Sequence, residues 1–243
     1  MTNSLEPSWE RQNRLLNLFS DSLYERLAPQ LTPVSLSQGT ILHYPGETIH
    51  DLYFPIDCLI SITTTMKDGS TAETGLVGNR EIVGINAFMG GRETTQTEYV
   101  VQIAGRAIKI AASLMRKEFE NNKELRDLML RYTQALIAQI FQTTACNRLH
   151  FLEQRLARWL PEAQDRIDLN ELKLTQEFIS HMLGVRRAGV TQAAQQLQEL
   201  GYINYNRGRI QILDQQGLEE TACECFLVVR DEYDRLLGDK CRS

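Results

Sequence analysis

The chain has 243 residues, of which 42% are hydrophobic and 23% are charged. This length suits about two domains of ordinary size, and the composition supports folded cores over long disordered stretches. The formal net charge is −5, so binding to a polyanion would require a local concentration of basic residues.

Three features bear on the cellular compartment. The first 14 residues are polar and lack a basic-plus-apolar targeting signal, and no apolar run approaches the ~20 residues that a membrane span needs. The five cysteines are odd in number and scattered, which does not indicate a disulfide framework. We therefore expect a cytoplasmic protein without a membrane partner.

The first half of the chain changes from helical to β-type patterning. Leucines at helical spacing predict a helix over residues 8–31, whereas the segment before Pro7 has no periodicity. Residues 34–112 contain short β-branched runs separated by turn residues, which predicts an all-β barrel or sandwich. Asp68-Gly69 is a strong hairpin signal, because glycine adopts the positive φ that a tight turn needs.

Residues 113–147 are predicted to be helical: Ser113 could cap a short helix, and a long helix with one apolar stripe follows it. At ~24 residues such a helix spans ~36 Å, more than a barrel can cover, so we expect part of the stripe to meet a second copy of the chain. The alternative is a helix packed wholly on its own domain. The stripe consists of Leu125, Met129, Tyr132, Leu136, Ile140 and Thr143.

A second helix is predicted over residues 148–161, ended by Pro161 and the polar stretch that follows it. The tail, Gln216–Ser243, predicts one or two further helices.

Residues 171–213 combine two short helices joined by a glycine-bearing turn. Thr175 is a natural N-cap for the first helix, and Gly184 suits the left-handed residue at its end. A second helix is predicted from near Arg186 to Glu199, which gives helix-turn-helix spacing. The inward positions of the two helices are apolar: Phe178, Ile179, Met182, Val190, Ala194 and Leu197.

Arginines gather in the same segment. Arg186 and Arg187 lie at the first turn of the second helix, and Arg207 and Arg209 lie at the tip of a predicted β-hairpin that follows. Four arginines and one glutamate give residues 186–209 a net charge of +3. Because salt screens charge beyond roughly 8–10 Å, a phosphate backbone bound here would respond to this local positive charge and not to the net charge of the whole chain.

Leu174–Leu213, with the preceding residues 153–160, resembles the DNA-binding domain of the CRP/FNR family of bacterial regulators. The order of parts fits too, and Gly39, Gly46 and the turn at Asp68 fit the family's cyclic-nucleotide-binding-like fold. The resemblance implies a sequence-specific transcription regulator that binds double-stranded DNA as a homodimer and works with RNA polymerase.

The resemblance also implies an α+β fold in three parts. An N-terminal β-roll (a double-stranded β-helix) with its leading helix takes residues 1–112. A long dimerisation helix takes residues 113–147. A winged helix-turn-helix domain with a helical tail takes residues 148–243.

The family's base-reading positions match this chain only in part. The first reading arginine falls on Arg187, whereas a neighbouring glutamate is replaced by Ala188 and a second arginine by Gln192. Arginine suits guanine, glutamine suits adenine and alanine can touch a thymine methyl, so the target need not be the family's best-known sequence. Thr175 and Gln176 fall on phosphate-contacting positions. The predicted DNA-contacting residues are Thr175, Gln176, Arg186, Arg187, Ala188, Gln192, Gln195, Arg207 and Arg209.

The predicted sensor lacks the residues that hold cyclic AMP in the family. Ile82 occupies the position of the ribose-binding glutamate, and the phosphate-binding arginine is replaced near Thr97 or Glu98. Arg92, in a Gly-Gly loop, is the remaining weak candidate for a cation. We therefore expect no tight binding of cyclic AMP, and the effector is unknown from the sequence.

Metal-containing cofactors have little support in the sequence. The N-terminal cysteine cluster of the family's iron–sulfur sensors is absent, so no such cluster is expected, and His43, His50 and Cys58 are the haem-ligand candidates. Cys223-Glu224-Cys225 could bind a metal or act as a redox switch. On a helix, however, residues i and i+2 point apart, so we expect one packed and one exposed thiol and no metal site.

Two other function classes compete with a DNA-binding regulator. An enzyme is not favoured, because no Ser-His-Asp order, phosphate-binding loop or zinc-ligand spacing occurs in the sequence. A signalling or scaffold protein that uses its winged helix for protein contacts is the alternative. The +3 segment favours DNA over that alternative.

Overall fold

The computed structural model describes residues 12–90, 93–169 and 171–238. The segment before Pro7, the loop residue Arg92 and Cys241 lie outside these ranges. In the described part, a β-roll is followed by two helices and by a C-terminal winged helix-turn-helix domain. The α+β fold expected from the sequence is confirmed.

The β-roll consists of two antiparallel sheets. One has the strand order β1-β7-β3 and the other β2-β6-β4-β5. Asp68-Gly69 forms the turn between β4 and β5, with Gly69 at φ +84° and the Asp68 carboxylate accepting from the Ser70 amide. The strands are β1 (Thr32–Leu36), β2 (Ile41–His43), β3 (Asp51–Pro55), β4 (Leu59–Thr65), β5 (Thr71–Val77), β6 (Glu98–Ile103) and β7 (Gly105–Ala111).

The predicted N-terminal helix is shorter than residues 8–31. Among the described residues of that stretch, only Asp21–Leu27 forms an α-helix (α1), flanked by 3-10 turns at Leu16–Leu18 and Ala28–Gln30. Asn13 breaks the pattern, because its buried side chain accepts from the Leu16 amide and donates to two barrel carbonyls. The leucine spacing therefore identified buried residues correctly but not a continuous helix.

The helical segment predicted over residues 113–147 forms a short helix, α2 (Ala112–Asn121), and a long helix, α3 (Lys123–Leu149). Asn122 separates them in an extended conformation, and its side chain caps α3 by accepting from the Leu125 amide at 3.1 Å. Asparagine is among the favoured N-cap residues, which explains a break without glycine or proline.

The stripe predicted to meet a second copy is turned toward the chain's own core, so that prediction was wrong. Leu125, Met129 and Tyr132 are fully buried, and Tyr132 donates to the Ile82 carbonyl of the β-roll at 2.9 Å. Leu136 and Thr143 are also buried, and Ile140 packs against the same core. The barrel covers the first half of α3, and a C-terminal helix covers much of the rest.

The opposite face of α3 carries exposed apolar residues. Leu130 is 51% exposed, Ile137 is 43% exposed and Phe141 is 70% exposed. Their spacing of seven and four residues keeps them on one side of the helix, which is the spacing of a coiled-coil seam.

Pro161 does not end the next helix, contrary to the sequence-based prediction. Helix α4 (Leu152–Ile167) continues through it, and Glu162 and Arg166 beyond it are buried. Proline removes one backbone hydrogen bond. Packing and ion pairing of the residues that follow offset this loss.

The winged helix-turn-helix comprises α5 (Gln176–Leu183), α6 (Arg187–Glu199), β9 (Ile203–Asn206) and β10 (Arg209–Ile212). A third strand, β8 (Glu171–Lys173), pairs with β10 and was not predicted. Leu59, Leu76 and Ile103 of the β-roll belong to the same apolar core as Trp159 and Leu160 of α4. The β-roll and the winged helix are thus packed together.

Two helices close the described chain, α7 (Gln215–Thr221) and α8 (Cys225–Leu237), as the tail pattern predicted. Helix α8 packs along α3 and contributes Val229 and Tyr233 to the β-roll core. Cys223 precedes α8 and Cys225 begins it, and both are buried. The expectation of one packed and one exposed thiol was wrong, because the pair does not lie within one helix. None of the helices within the described ranges is long and apolar enough to cross a bilayer.

Buried ion pairs connect the β-roll to α4. Glu81 and Arg166 are both fully buried, and Arg166 Nε lies 3.1 Å from Glu81 Oε1. Arg166 Nη1 also lies 3.3 Å from Glu162, which pairs with Arg158. Such a network tolerates burial only because each charge has a partner.

Neighbouring polar contacts extend this connection. Arg80 Nη1 lies 2.9 Å from Asp165 of α4, and the ring of Tyr233 lies 4.7 Å from the Arg80 guanidinium carbon. Trp159 Nε1 donates to Glu73 of β5 at 3.0 Å, and Ser61 donates to the same carboxyl group. Burial raises the pKa of Glu73 to about 7, although these hydrogen bonds act to lower it.

We predict that Arg166→Met lowers the free energy of unfolding by about 3–5 kcal/mol, because it leaves two buried carboxylates without their shared cation. Urea denaturation at neutral pH measures the change. Arg235→Met removes an exposed ion pair with Glu232 and should cost no more than about 1 kcal/mol. Equal losses in the two variants would contradict the structural role of the buried network.

Candidate DNA-binding surface

The helix-turn-helix forms as the sequence predicted. The Thr175 side chain caps α5 by accepting from the Phe178 amide at 3.3 Å, and Gly184 ends the helix at φ +61°. Helix α6 begins at Arg187, with Arg186 in an extended N-cap position. The predicted inward residues Ile179, Met182, Val190, Ala194 and Leu197 are buried, while Phe178 is half-buried.

One face of α6 is free of the rest of the chain. Ala188, Gln192 and Gln195 are exposed and follow one another at helical spacing. Arg186 and Arg187 are exposed at the start of the same helix, and neither forms an ion pair among the described residues. This face presents two cations, two amides and a methyl group at one end of the domain.

Gln176 connects the two helices of the motif. Its Oε1 accepts from the Thr191 hydroxyl at 2.9 Å and lies 3.4 Å from Arg187 Nε. The first residue of α5 therefore orients an arginine at the first residue of α6. The sequence placed Gln176 on this surface but did not indicate its contact with Arg187.

The hairpin between β9 and β10 forms a wing beside α6. Arg207 and Gly208 make a tight turn with φ +48° and +77°, the left-handed pair of a two-residue hairpin loop. Arg207 is exposed at the tip. The wing packs back on the domain, because the Tyr205 hydroxyl donates to the Leu174 carbonyl at 3.1 Å.

Arg209 differs from the other three arginines. Its Nη1 lies 3.1 Å from Glu171 Oε1 on β8, and both side chains are largely exposed. The third strand thus brings an acid to the wing that sequence reasoning missed. This strand is only three residues long, and its partner lies 36 residues or more along the chain, so no local pattern could reveal the pairing.

Most of the sensor residues named from the sequence are buried in the β-roll or hydrogen-bonded to other residues of it. Ile82 is 1% exposed in the core, and the hydroxyls of Thr95 and Thr97 lie 2.8 Å apart. Glu98 lines a groove between the β-roll and α5 with His181 and Met182. Within the described ranges, no lysine or arginine side chain bonds to the half-buried Thr97 side chain.

The three haem-ligand candidates differ in burial and in their contacts. His43 is buried against the rings of Tyr53 and Tyr99, and burial lowers its pKa to about 4 despite the nearby Asp51. His50 is exposed at the surface. Cys58 is buried and donates to the Arg106 carbonyl at 3.2 Å.

Comparison with known proteins matches both halves of this architecture. Residues 154–221 match the Crp-like helix-turn-helix domain family. The chain is 22% identical over 204 residues to a CRP-like cAMP-activated global transcriptional regulator of Mycobacterium tuberculosis, covering 81% of this chain and 90% of that protein.

Solved structures share the fold. FixK2 from Bradyrhizobium japonicum matches with a TM-score of 0.68 and 14% identity, over 79% of this chain and 98% of that one. The c-di-GMP responsive global regulator CLP of Xanthomonas campestris matches with a TM-score of 0.64 and 14% identity, over 79% and 99%. Residues 154–221 therefore form a Crp-like helix-turn-helix domain, and the chain as a whole shares the fold of these two regulators.

Proposed function

We propose that the chain is a homodimeric, sequence-specific regulator that reads a pseudo-palindromic site in double-stranded DNA with α6. This proposal is supported most directly by the exposed side chains on the first half of α6, beside the wing: Arg186, Arg187, Ala188 and Gln192. The N-terminal residues of a recognition helix are those that reach base edges in the major groove.

Each side chain on this face suits a particular contact. Arg187 can bond the O6 and N7 edge of guanine, Gln192 can bond adenine, and Ala188 can touch a thymine methyl. Thr175, Gln176 and Gln195 lie on the flanks of the same surface and are proposed as phosphate contacts. Gln176 would hold Arg187 in place, since the two side chains lie within 3.4 Å.

Charge supports binding to a polyanion at this face. Arg186, Arg187 and Arg207 have no carboxylate partner among the described residues, while Arg209 shares its charge with Glu171. A phosphate that approaches the wing would compete for Arg209. Each phosphate neutralised releases counterions, so affinity should fall steeply with salt.

A second copy is proposed to pack on the exposed face of α3. Regulators of the CRP type bind DNA and are typically dimeric. Leu130, Ile137 and Phe141 form an exposed stripe on a 27-residue helix, in place of the buried stripe first predicted. Two such helices packed side by side would cover these apolar surfaces in a seam.

The β-roll is proposed as a sensor that does not bind cyclic AMP tightly. Ile82 would take the position of the family's ribose-binding glutamate, and Thr97 or Glu98 that of its phosphate-binding arginine. Ile82 is buried in the core, and the Thr97 hydroxyl lies 2.8 Å from the Thr95 hydroxyl. One relative is named cAMP-activated and one structural neighbour c-di-GMP responsive, so the fold alone does not fix the effector.

Isothermal titration should detect no binding at micromolar cyclic AMP. Contact with RNA polymerase stays an expectation.

We predict distinct effects for two arginine variants, measured by electrophoretic mobility shift on duplexes selected from a random pool. Arg187→Ala should lose about 1–3 kcal/mol of discrimination at one base pair in each half-site. Arg207→Ala should weaken all sequences about equally and reduce the salt slope by about one.

Arg235→Ala, an exposed arginine on α8, is the matched control and should change neither quantity. If Arg187→Ala kept its half-site preference, the assignment of α6 as the reading helix would be wrong. If the wild-type protein bound only a salt-insensitive protein partner, the scaffold alternative would replace DNA binding.

We predict that Phe141→Glu converts the protein to a monomer, because a charge would enter the apolar seam. Sedimentation equilibrium gives the mass directly. Met66→Glu alters an apolar residue 61% exposed at the β4–β5 turn and should leave the dimer intact. A dimeric Phe141→Glu variant with unchanged dissociation constant would exclude the α3 seam.

A further inference from the structure

Four potential metal ligands converge where the winged helix joins the rest of the chain. Cys146 and His150 lie one turn apart at the end of α3, and Cys223 and Cys225 flank the start of α8. The three thiols and the imidazole place their ligand atoms within 4.8 Å of one another. The two pairs come from segments more than 70 residues apart in sequence.

The spacing of these atoms fits a tetrahedral metal site. The sulfurs of Cys146 and Cys223 are 3.5 Å apart, and Cys225 Sγ lies 3.5 Å from His150 Nδ1. In a zinc site with Zn–S bonds of about 2.3 Å, neighbouring sulfurs of the tetrahedron are about 3.8 Å apart. Only small side-chain movements would bring all four ligands onto one ion.

The surroundings also suit a bound ion. His150 Nε2 faces the Glu224 carboxylate at 3.3 Å, which leaves Nδ1 as the ligand atom and matches the carboxylate–histidine–metal arrangement. Gln142 Nε2 donates to Cys225 Sγ at 3.1 Å. His150 and Glu224 are partly exposed at one edge, which provides a path of entry.

Nearby cations balance the charge of the sulfurs. Three thiolates around Zn²⁺ carry a net charge of −1. Arg155 and Arg158 of α4 are both buried, and Arg155 Nη2 donates to the side chain of Asn147, the residue that follows Cys146, at 3.0 Å. Both arginines belong to α4, so the base of the winged helix supplies the positive charge that a buried thiolate cluster requires.

We propose that Cys146, His150, Cys223 and Cys225 bind one structural Zn²⁺ ion that ties the C-terminal end of α3 to the start of α8. Three cysteines and one histidine form a common closed zinc site. The ion would join the point where the chain enters the winged helix, at His150, to the point where it leaves, at Cys223.

This position has a consequence that rests on the proposed function. The metal would close a loop that contains the whole DNA-reading domain and would fix that domain against α3. Loss of the ion would leave the start of α8 and the end of α3 joined only by their packing. DNA affinity would then depend on metal supply and on the oxidation state of the thiols.

The test begins with the full-length protein, purified under reducing conditions without chelator. Mass spectrometry of the metal content should find about one zinc per chain. After removal of zinc, added Co²⁺ should give the absorption of a tetrahedral cobalt–thiolate centre, and returning zinc should raise the melting temperature.

Variants distinguish the site from adventitious binding. Cys223→Ser and His150→Ala should lose stoichiometric zinc, whereas Cys58→Ala, a buried cysteine outside the cluster, should retain it. Glu224→Gln should weaken zinc binding about 10–100-fold, and the matched exposed change Glu220→Gln should not. Circular dichroism identifies any variant that fails to fold, and the wild-type cobalt spectrum does not depend on the variants.

The site is refuted if the folded wild-type protein contains no zinc and shows no cobalt–thiolate absorption. A Cys146–Cys223 disulfide in the protein as purified under reducing conditions, with no zinc bound, would refute it in favour of a redox pair. These readouts need no DNA, so they stand apart from the proposed function. If zinc removal left DNA affinity unchanged, the dependence of DNA binding on the metal would be overturned.

Discussion

The architecture depends on charges buried between the β-roll and α4. Glu81, which follows β5, and Arg166, in the last turn of α4, are both inaccessible to solvent and bond each other directly. The approach is so close that a Cβ at Gly78 would lie 2.4 Å from the Cβ of Arg166. Because an unpaired charge in such a place is costly, the winged helix is held to one position on the β-roll.

The proposed function depends on this fixed position of the domain. A regulator that reads two half-sites needs its recognition helices at a defined separation, which requires rigid joints between α6, α4 and α3. The shared core around Trp159 supplies one joint, α8 along α3 supplies another, and the thiol cluster lies where the two meet. A signal in the β-roll could act by changing this geometry.

The sequence predicted best what is encoded locally. The helix-turn-helix was readable because Thr175, Gly184 and the wing turn at Arg207 each obey short-range rules of capping and turn formation. Contacts between segments that are far apart in the sequence could not be predicted from it. The burial of Leu125 and Tyr132 depends on which side of α3 meets the β-roll, and a periodic stripe does not carry that information. Helix α4 continues through Pro161 because the residues after the proline pair with side chains of the β-roll. The thiols of Cys146 and Cys223 lie close together although they are more than 70 residues apart in the sequence.

The most direct measurement of the central claim is methylation protection of guanine N7 across a selected duplex site. N7 lies in the major groove, where α6 should bind. We expect two protected patches on one side of the duplex, centred about one helical turn (~34 Å) apart. A single patch, or bound duplex in which no guanine N7 is protected, would show that α6 does not read DNA in the way described.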